Sequence, residues 1–215
     1  GVFADTNITK ALRDPAFRFV SENCIPVQSG VAQTWDRPGA NVTGVGVFTQ
    51  FTSIIKLAQA IDPRARKLYF WTWESPATKP LNDYFEAEVA AAVKATGVEL
   101  VEFKRLANAE EQFAYMKELD SKGPDTFAMG GLSAWVHKDG TYADMAVEET
   151  AFWRTTMKKL RFYCYDEAGV RNASPAGACI VWYDIGAQMA DKALLVLGGT
   201  PPGSIPWSYP RKYQI

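Results

Sequence analysis

Lys67-Leu68-Tyr69-Phe70-Trp71-Thr72-Trp73 forms an apolar block rich in aromatic residues, with Pro63 closing the segment before it. Its length and composition read as a strand. Residues 79–96 read as a helix, with Pro80 in the first turn and Gly97 just past the end, the asymmetry that helix termini favour. Residues 98–103 form a second apolar strand. The strands are continuous apolar runs rather than alternating ones. That argues for a mostly parallel sheet covered by helices on both faces.

The same alternation extends in both directions. Upstream, residues 25–29 read as a short strand, Asp36-Arg37-Pro38-Gly39-Ala40-Asn41 as a turn, and residues 42–48 as a β-rich segment. A helix starts at Thr52 or Ser53, with Ile54, Ile55, Leu57, Ala58 and Ile61 on one face. Downstream, Asn108 with Glu111 three residues later is a helix start with a capping-box partner. Gly123-Pro124 stops that helix and residues 125–129 form the next strand. Residues 142–160 read as a helix with Ala146, Thr150, Trp153 and Met157 on one side. Strands follow at 161–165 and 178–183, and Asp184 is read as the cap of a helix through Leu197. The fold class is therefore α/β. In such sheets ligands meet the loops after the C-terminal strand ends.

Composition narrows the function. The 215 residues fit one large domain or two small ones. Net charge is −1 and no run of like charges occurs, so nothing points to nucleic acid. No apolar run reaches the ~20 residues of a membrane span. A single histidine, His137, and three scattered cysteines offer no metal-ligand spacing and no cofactor motif. Gly44-Val45-Gly46 begins a GxGxxG pattern but breaks at Thr49; glycines that let one strand pass close to another backbone explain it better. There is no phosphate-binding GxxxxGK[ST] loop and no GxSxG elbow. His137 reads as a loop histidine. Cys24, Cys164 and Cys179 read as buried thiols. Asp166, after a strand end and without an evident capping role, is a site candidate; Asp184 is divided between capping and a site role. Trp73, at a strand end, is divided between core packing and ligand stacking.

Asp36-Arg37-Pro38-Gly39-Ala40-Asn41-Val42-Thr43-Gly44-Val45, the helix and turn at residues 56–67, and the closing run from Tyr183 through Pro202 to Ile215 together resemble a family of bacterial ABC-transporter substrate-binding proteins. The family includes tryptophan- and tyrosine-type binding proteins. The resemblance spans residues 20–215 in consistent order. It implies a two-lobe type I periplasmic-binding-protein fold. The N-lobe would comprise residues 1–47 and 173–206, and the C-lobe residues 48–172 and 207–215. Family members carry a signal peptide and further βα units before the equivalent of Val2, so the N-lobe is expected to be incomplete here.

By the same resemblance the protein is expected to be a non-enzymatic receptor of an ABC importer, extracytoplasmic, monomeric, and partnered with a small solute and an ABC permease. An aromatic amino acid is the first candidate solute, held in the interlobe cleft by hinge closure. Expected ligand contacts are Thr6 and Asn7 from one lobe. Trp73, Glu74, Ser75, Gly130, Gly131 and Asp166 come from the other, and Tyr183 and Asp184 lie beside a crossover. Gly130-Gly131 is expected to let backbone N–H groups approach the solute. Two rivals stand beside this reading: a small α/β enzyme using Asp166 with Asp184, and an effector-binding domain of a transcription regulator.

Overall fold

A computed structural model describes residues 14, 16–47, 50–159, 161–163 and 176–214. The chain divides into two compact units. Unit 1 comprises Gly1–Phe48 with Ile180–Tyr213, and unit 2 comprises Thr49–Cys179 with Gln214–Ile215. The chain passes from one unit to the other after Phe48, Cys179 and Tyr213.

Unit 2 is built on a parallel five-stranded sheet. Its strands are β3 (Lys67–Trp73), β4 (Glu99–Leu106), β5 (Thr126–Gly130), β6 (Arg161–Tyr163) and β7 (Ala176–Gly177), in the spatial order β4-β3-β5-β6-β7. The apolar block at 67–73 is the second strand in from one edge, and alternate residues serve opposite faces. On one face Phe70 meets Phe51 of α1 (Phe51–Ile61), Phe103 of β4, and through Phe51 reaches Phe85 of α2 (Lys79–Thr96). On the other, Trp71 packs with Met116 of α3 (Ala109–Leu119) and Trp153 of α4 (Met145–Thr155). Helices therefore cover both faces, as the continuous apolar strands require.

Local signals hold at several element ends. Helix α2 starts with Pro80 in its first turn and ends on Gly97 at φ 69°. Asn108 caps α3 by accepting from Glu111 N at 3.0 Å, and the Glu111 carboxylate reaches back to Ala107 N and Asn108 Nδ2. Helix α4 is shorter than expected, because Asp120 accepts the backbone N–H groups of Lys158 and Lys159 and turns the chain out of helix. Of the expected Ala146, Thr150, Trp153 and Met157 line, Trp153 and Met157 are buried, but within the helix the buried stripe runs Met145, Glu149 and Trp153.

Unit 1 holds a parallel pair, β1 (Phe19–Asn23) and β2 (Val42–Gly46), and helix α5 (Trp182–Leu197). The expected strand at 25–29 is instead a run of turns. Asn23 Oδ1 accepts from Ile25 N, and Ser29 N donates to the Ile25 carbonyl at 2.8 Å. Pro26 supplies no N–H for a ladder. The Pro38-Gly39-Ala40-Asn41-Val42-Thr43-Gly44 run now has a physical account. Gly39 sits at φ 65° and donates to the Gly203 carbonyl. Asn41 Nδ2 donates to the Phe17 and Asp14 carbonyls. The buried Thr43 hydroxyl donates to the Ile205 carbonyl at 2.8 Å. A Cβ on Gly44 would overlap the Ser21 carbonyl and meet the Trp207 ring at 2.6 Å, so this glycine serves close strand passage, not a dinucleotide. Trp207 in turn packs against Val31, Ala32 and Val42. The remaining short strands, β8 (Cys179–Ile180) and β9 (Tyr213–Gln214), pair with each other. The expected strand at 178–183 thus stops early, because Trp182 already begins α5.

Candidate functional site

The strand order places a topological switch between β3 and β5. From β3 the chain moves outward through α2 to β4, then returns through α3 to β5 on the other side. Loops after adjacent strands that lead in opposite directions leave a crevice, the usual ligand position in open α/β sheets. Residues 74–78 and 131–135 are those loops; they carry Glu74, Ser75 and Gly131, and Trp73 and Gly130 are the strand residues just before them.

Most polar groups there already have partners. Trp73 donates its backbone N–H to the Leu132 carbonyl at 2.8 Å and its indole Nε1–H to the Ala107 carbonyl at 3.2 Å. Glu74 accepts from Arg105 at 2.9 Å and from Asn82 Nδ2 at 3.0 Å. Arg105 also reaches Asp83 and Glu86. Burial would loosen its proton, but the carboxylates of Glu86, Asp83 and Glu74 hold it more firmly. Ser75 and Thr78 form a reciprocal turn in front of α2: Ser75 N donates to Thr78 Oγ1 and Thr78 N to Ser75 Oγ. Fully buried Thr72 donates to Asn82 Oδ1 and accepts from Leu132 N, stitching the two loops together.

The glycine pair has a packing role. A Cβ on Gly130 would lie 2.7 Å from the Trp71 ring, and one on Gly131 would lie 3.0 Å from Phe70. The backbone N–H of Gly131 is occupied by the Trp71 carbonyl at 2.8 Å. The pair lets β5 pass over two large aromatic rings.

Unit 1 carries a hollow of about 290 Å³ lined by Tyr183, Asp184, Ala187, Arg211 and Lys212. Asp184 does not cap α5. The helix begins two residues earlier, with Val181 at the cap position and no side-chain cap bond, so the capping expectation is corrected. Asp184 is buried and accepts from Gln188 Nε2 at 2.9 Å and from Arg211 N at 2.8 Å, with Arg211 Nε 3.4 Å away. Burial alone would raise its pKa. The Arg211 N–H, the Gln188 amide and the guanidinium outweigh burial and hold the carboxyl below its ordinary value. Asp184 thereby fixes Arg211 at the hollow, where that side chain is more than half exposed. Tyr183 stands beside it, 87% exposed. Tyr183 and Asp184 are among the contacts expected from the sequence; Arg211, which also lines the hollow, is not, because it belongs to no motif and is marked only by its register with Asp184. Thr6, Asn7 and Asp166 lie outside the described residues. Among the described residues no His/Cys/Asp/Glu group could hold a metal, and no helix is long and apolar enough to cross a membrane.

The parallel sheet, the helices on both of its faces and the strand-end loops define an α/β fold of the periplasmic-binding-protein kind. The chain belongs to the ABC transporter substrate binding protein family, whose model matches residues 20–215. Its members bind solutes and are not enzymes, which removes the Asp166/Asp184 enzyme reading. Three solved structures share the fold. One, from Streptococcus pneumonia, is described as an ABC domain in complex with L-Trp, with 17% identity and a TM-score of 0.75; 98% of this chain aligns with 68% of that one. A conserved domain protein from Vibrio cholerae has 16% identity and a TM-score of 0.72, with 97% and 66% covered. A ligand-free, open substrate binding protein with adhesive properties from Clostridium difficile has 16% identity and a TM-score of 0.67, again with 97% and 66% covered. The chain thus spans about two thirds of the length of these structures. No curated protein sequence matches it.

Proposed function

We propose that this chain is the extracytoplasmic solute receptor of an ABC importer, acting as a monomer with an ABC permease, and that its solute is a small molecule with an anionic group and an aromatic ring. The observation that carries this reading is the hollow at the start of α5. It presents the Arg211 guanidinium, oriented from behind by Asp184, next to the exposed Tyr183 ring and Lys212. A guanidinium favours a carboxylate, and a phenol ring stacks on an aromatic group. An aromatic amino acid has both. The L-Trp bound by the Streptococcus pneumonia relative makes it the first solute to test. Trp73, whose ring is partly exposed at the β3 end, is the proposed contact in unit 2, with Thr6, Asn7 and Asp166 added by the family resemblance. Glu74, Ser75, Gly130 and Gly131 shape the unit 2 loops. Capture by hinge closure is the mode that the resemblance implies.

The test is native mass spectrometry of protein purified without refolding, followed by a thermal-shift screen of amino acids, sugars and nucleobases. A copurified aromatic amino acid, or a Tm rise with one that is lost in Arg211→Ala, is the expected result. A rise that survives Arg211→Ala, or that only uncharged sugars produce, overturns this reading of the site.

A further inference from the structure

The loop after β5 is fastened at two points by groups that titrate. At its start, Ser133 Oγ donates to Glu149 Oε2 at 2.6 Å, and Ala134 N donates to Gln112 Oε1 at 2.8 Å. Glu149 is 6% exposed on the inner face of α4, and Gln112 is fully buried on α3. At its far end, His137 lies between two carboxylates, with Nδ1 2.9 Å from Glu110 of α3 and Nε2 3.3 Å from Glu148 of α4. Those carboxylates also accept backbone N–H groups of the same segment: Glu110 takes Lys138 N, and Glu148 takes Asp144 N. Within the same segment Val136 bridges Tyr142, and Trp135 stacks on Tyr142 with centroids 5.9 Å apart.

We propose that this segment, residues 132–144, is a clasp that protons close, with neutral Glu149 holding its start and protonated His137 its far end. The consequence for solute rests on the receptor reading above, in which the loop after β5 borders the binding crevice.

The groups facing Glu149 are Ser133 from the loop, Gln112 from α3 and Arg161 from β6. Burial pushes the Glu149 carboxyl up to about 7, against the pull of the Ser133 hydroxyl, the Gln112 amide and the Arg161 charge. Arg161 stacks on the Trp153 ring at 3.9 Å, and burial lowers it to about 10. Ionisation strengthens the Ser133 bond itself, but the cost of burying the charge outweighs that gain, so the ionised carboxylate favours opening of the segment to water, and Ser133 leaves with it. His137 faces Glu110, Glu148 and Asp139. Its bond to Glu110 and the pair with Glu148 hold its proton above the ordinary histidine value, burial opposing. Loss of that proton removes the cation that joins α3 to α4. Both groups therefore loosen the segment as pH rises.

The first test needs no solute. Amide hydrogen exchange, corrected for intrinsic pH dependence, reads Ala134 and Lys138 between about pH 5.5 and about pH 8.5. The wild-type chain is expected to lose at least about tenfold protection at both amides over that range. Glu149→Gln keeps the Ala134 protection constant and leaves the loss at Lys138; His137→Gln abolishes the pH-dependent loss at Lys138. Equal pH dependence in wild type and Glu149→Gln overturns the proposal. So does a wild-type Glu149 carboxyl carbon that titrates by NMR in the ordinary carboxylate range, a measurement that holds even where a variant fails to fold. L-Trp affinity is then measured over the same range and is expected to weaken about tenfold in parallel. Binding of L-Trp that ignores a titrating clasp overturns its link to solute. An absence of L-Trp binding with the clasp titrating counts against the aromatic-solute reading and leaves the clasp supported.

Discussion

The unit 2 loops and the start of α5 in unit 1 use their polar groups in opposite ways. In unit 2, Glu74, Ser75, Thr72 and the Gly131 N–H are each taken up by a partner within the unit: Arg105, Thr78, Leu132 and the Trp71 carbonyl. In unit 1, the carboxylate at the site turns inward, and the group it orients, Arg211, stays more than half exposed. One region spends its polar groups on internal bonds, and the other leaves a guanidinium open to solvent. A polar residue at a strand end is therefore weak evidence for ligand contact until its partners are known.

The largest break in this comparison is expected in unit 2. Trp71→Ala removes the ring that Gly130 was shaped to admit and that Trp153 meets edge-on. A loss of about 4 kcal/mol in urea unfolding of unit 2 is expected; a loss under about 1 kcal/mol would show that the glycine pair has another purpose.

Glu149→Gln comes next. The folded value of about 7 lies above the ordinary 4.5, so the fold prefers the neutral acid. Its contribution is complete below about 4.5 and is lost as pH rises through about 7. Wild-type stability should fall by about 3 kcal/mol across that window, and the glutamine variant should stay flat. Parallel curves from denaturant titrations at several pH values would refute it.

Arg211→Ala sharpens the other side. It should weaken binding of an anionic aromatic solute by roughly tenfold to a hundredfold, about 2 kcal/mol, with little change in Tm. Calorimetric titration separates this from loss of fold. The smallest effect belongs to Glu74→Gln. Its partner Arg105 keeps Asp83 and Glu86, and the pair is partly exposed. A cost of about 1 kcal/mol or less, with solute affinity changed by no more than about twofold, is expected. A large affinity loss would make Glu74 a solute contact.

Much of the fold was legible because local signals agreed with tertiary need. The aromatic block at 67–73, Pro80 with Gly97, and Asn108 with Glu111 each specify an element without distant partners. Glu149 was hidden because a charged residue in the Met145–Trp153 stripe reads as solvent-facing until its burial is seen. Arg211 was hidden because its meaning comes from a carboxylate 27 residues away. Gly130-Gly131 was visible as a site feature, yet its cause is the Trp71 and Phe70 rings beneath it. Strand-end position is written in the sequence; which groups remain unpartnered there is decided by packing.

The Thr43 bond to Ile205 has a consequence for the order of assembly. It joins residues 162 apart, and Gly44 with Trp207 closes the same long loop. Between them in the chain lies the main segment of unit 2, Thr49–Cys179, which holds all five strands of its sheet. During synthesis the five-stranded sheet of unit 2 is made and able to collapse while the last strip of unit 1 is still being added. A nascent chain released before Ile205 leaves Asn41, Thr43 and Gly44 waiting on a partner that has not arrived. Compacting unit 2 first shortens the effective loop and lowers the entropy of its closure.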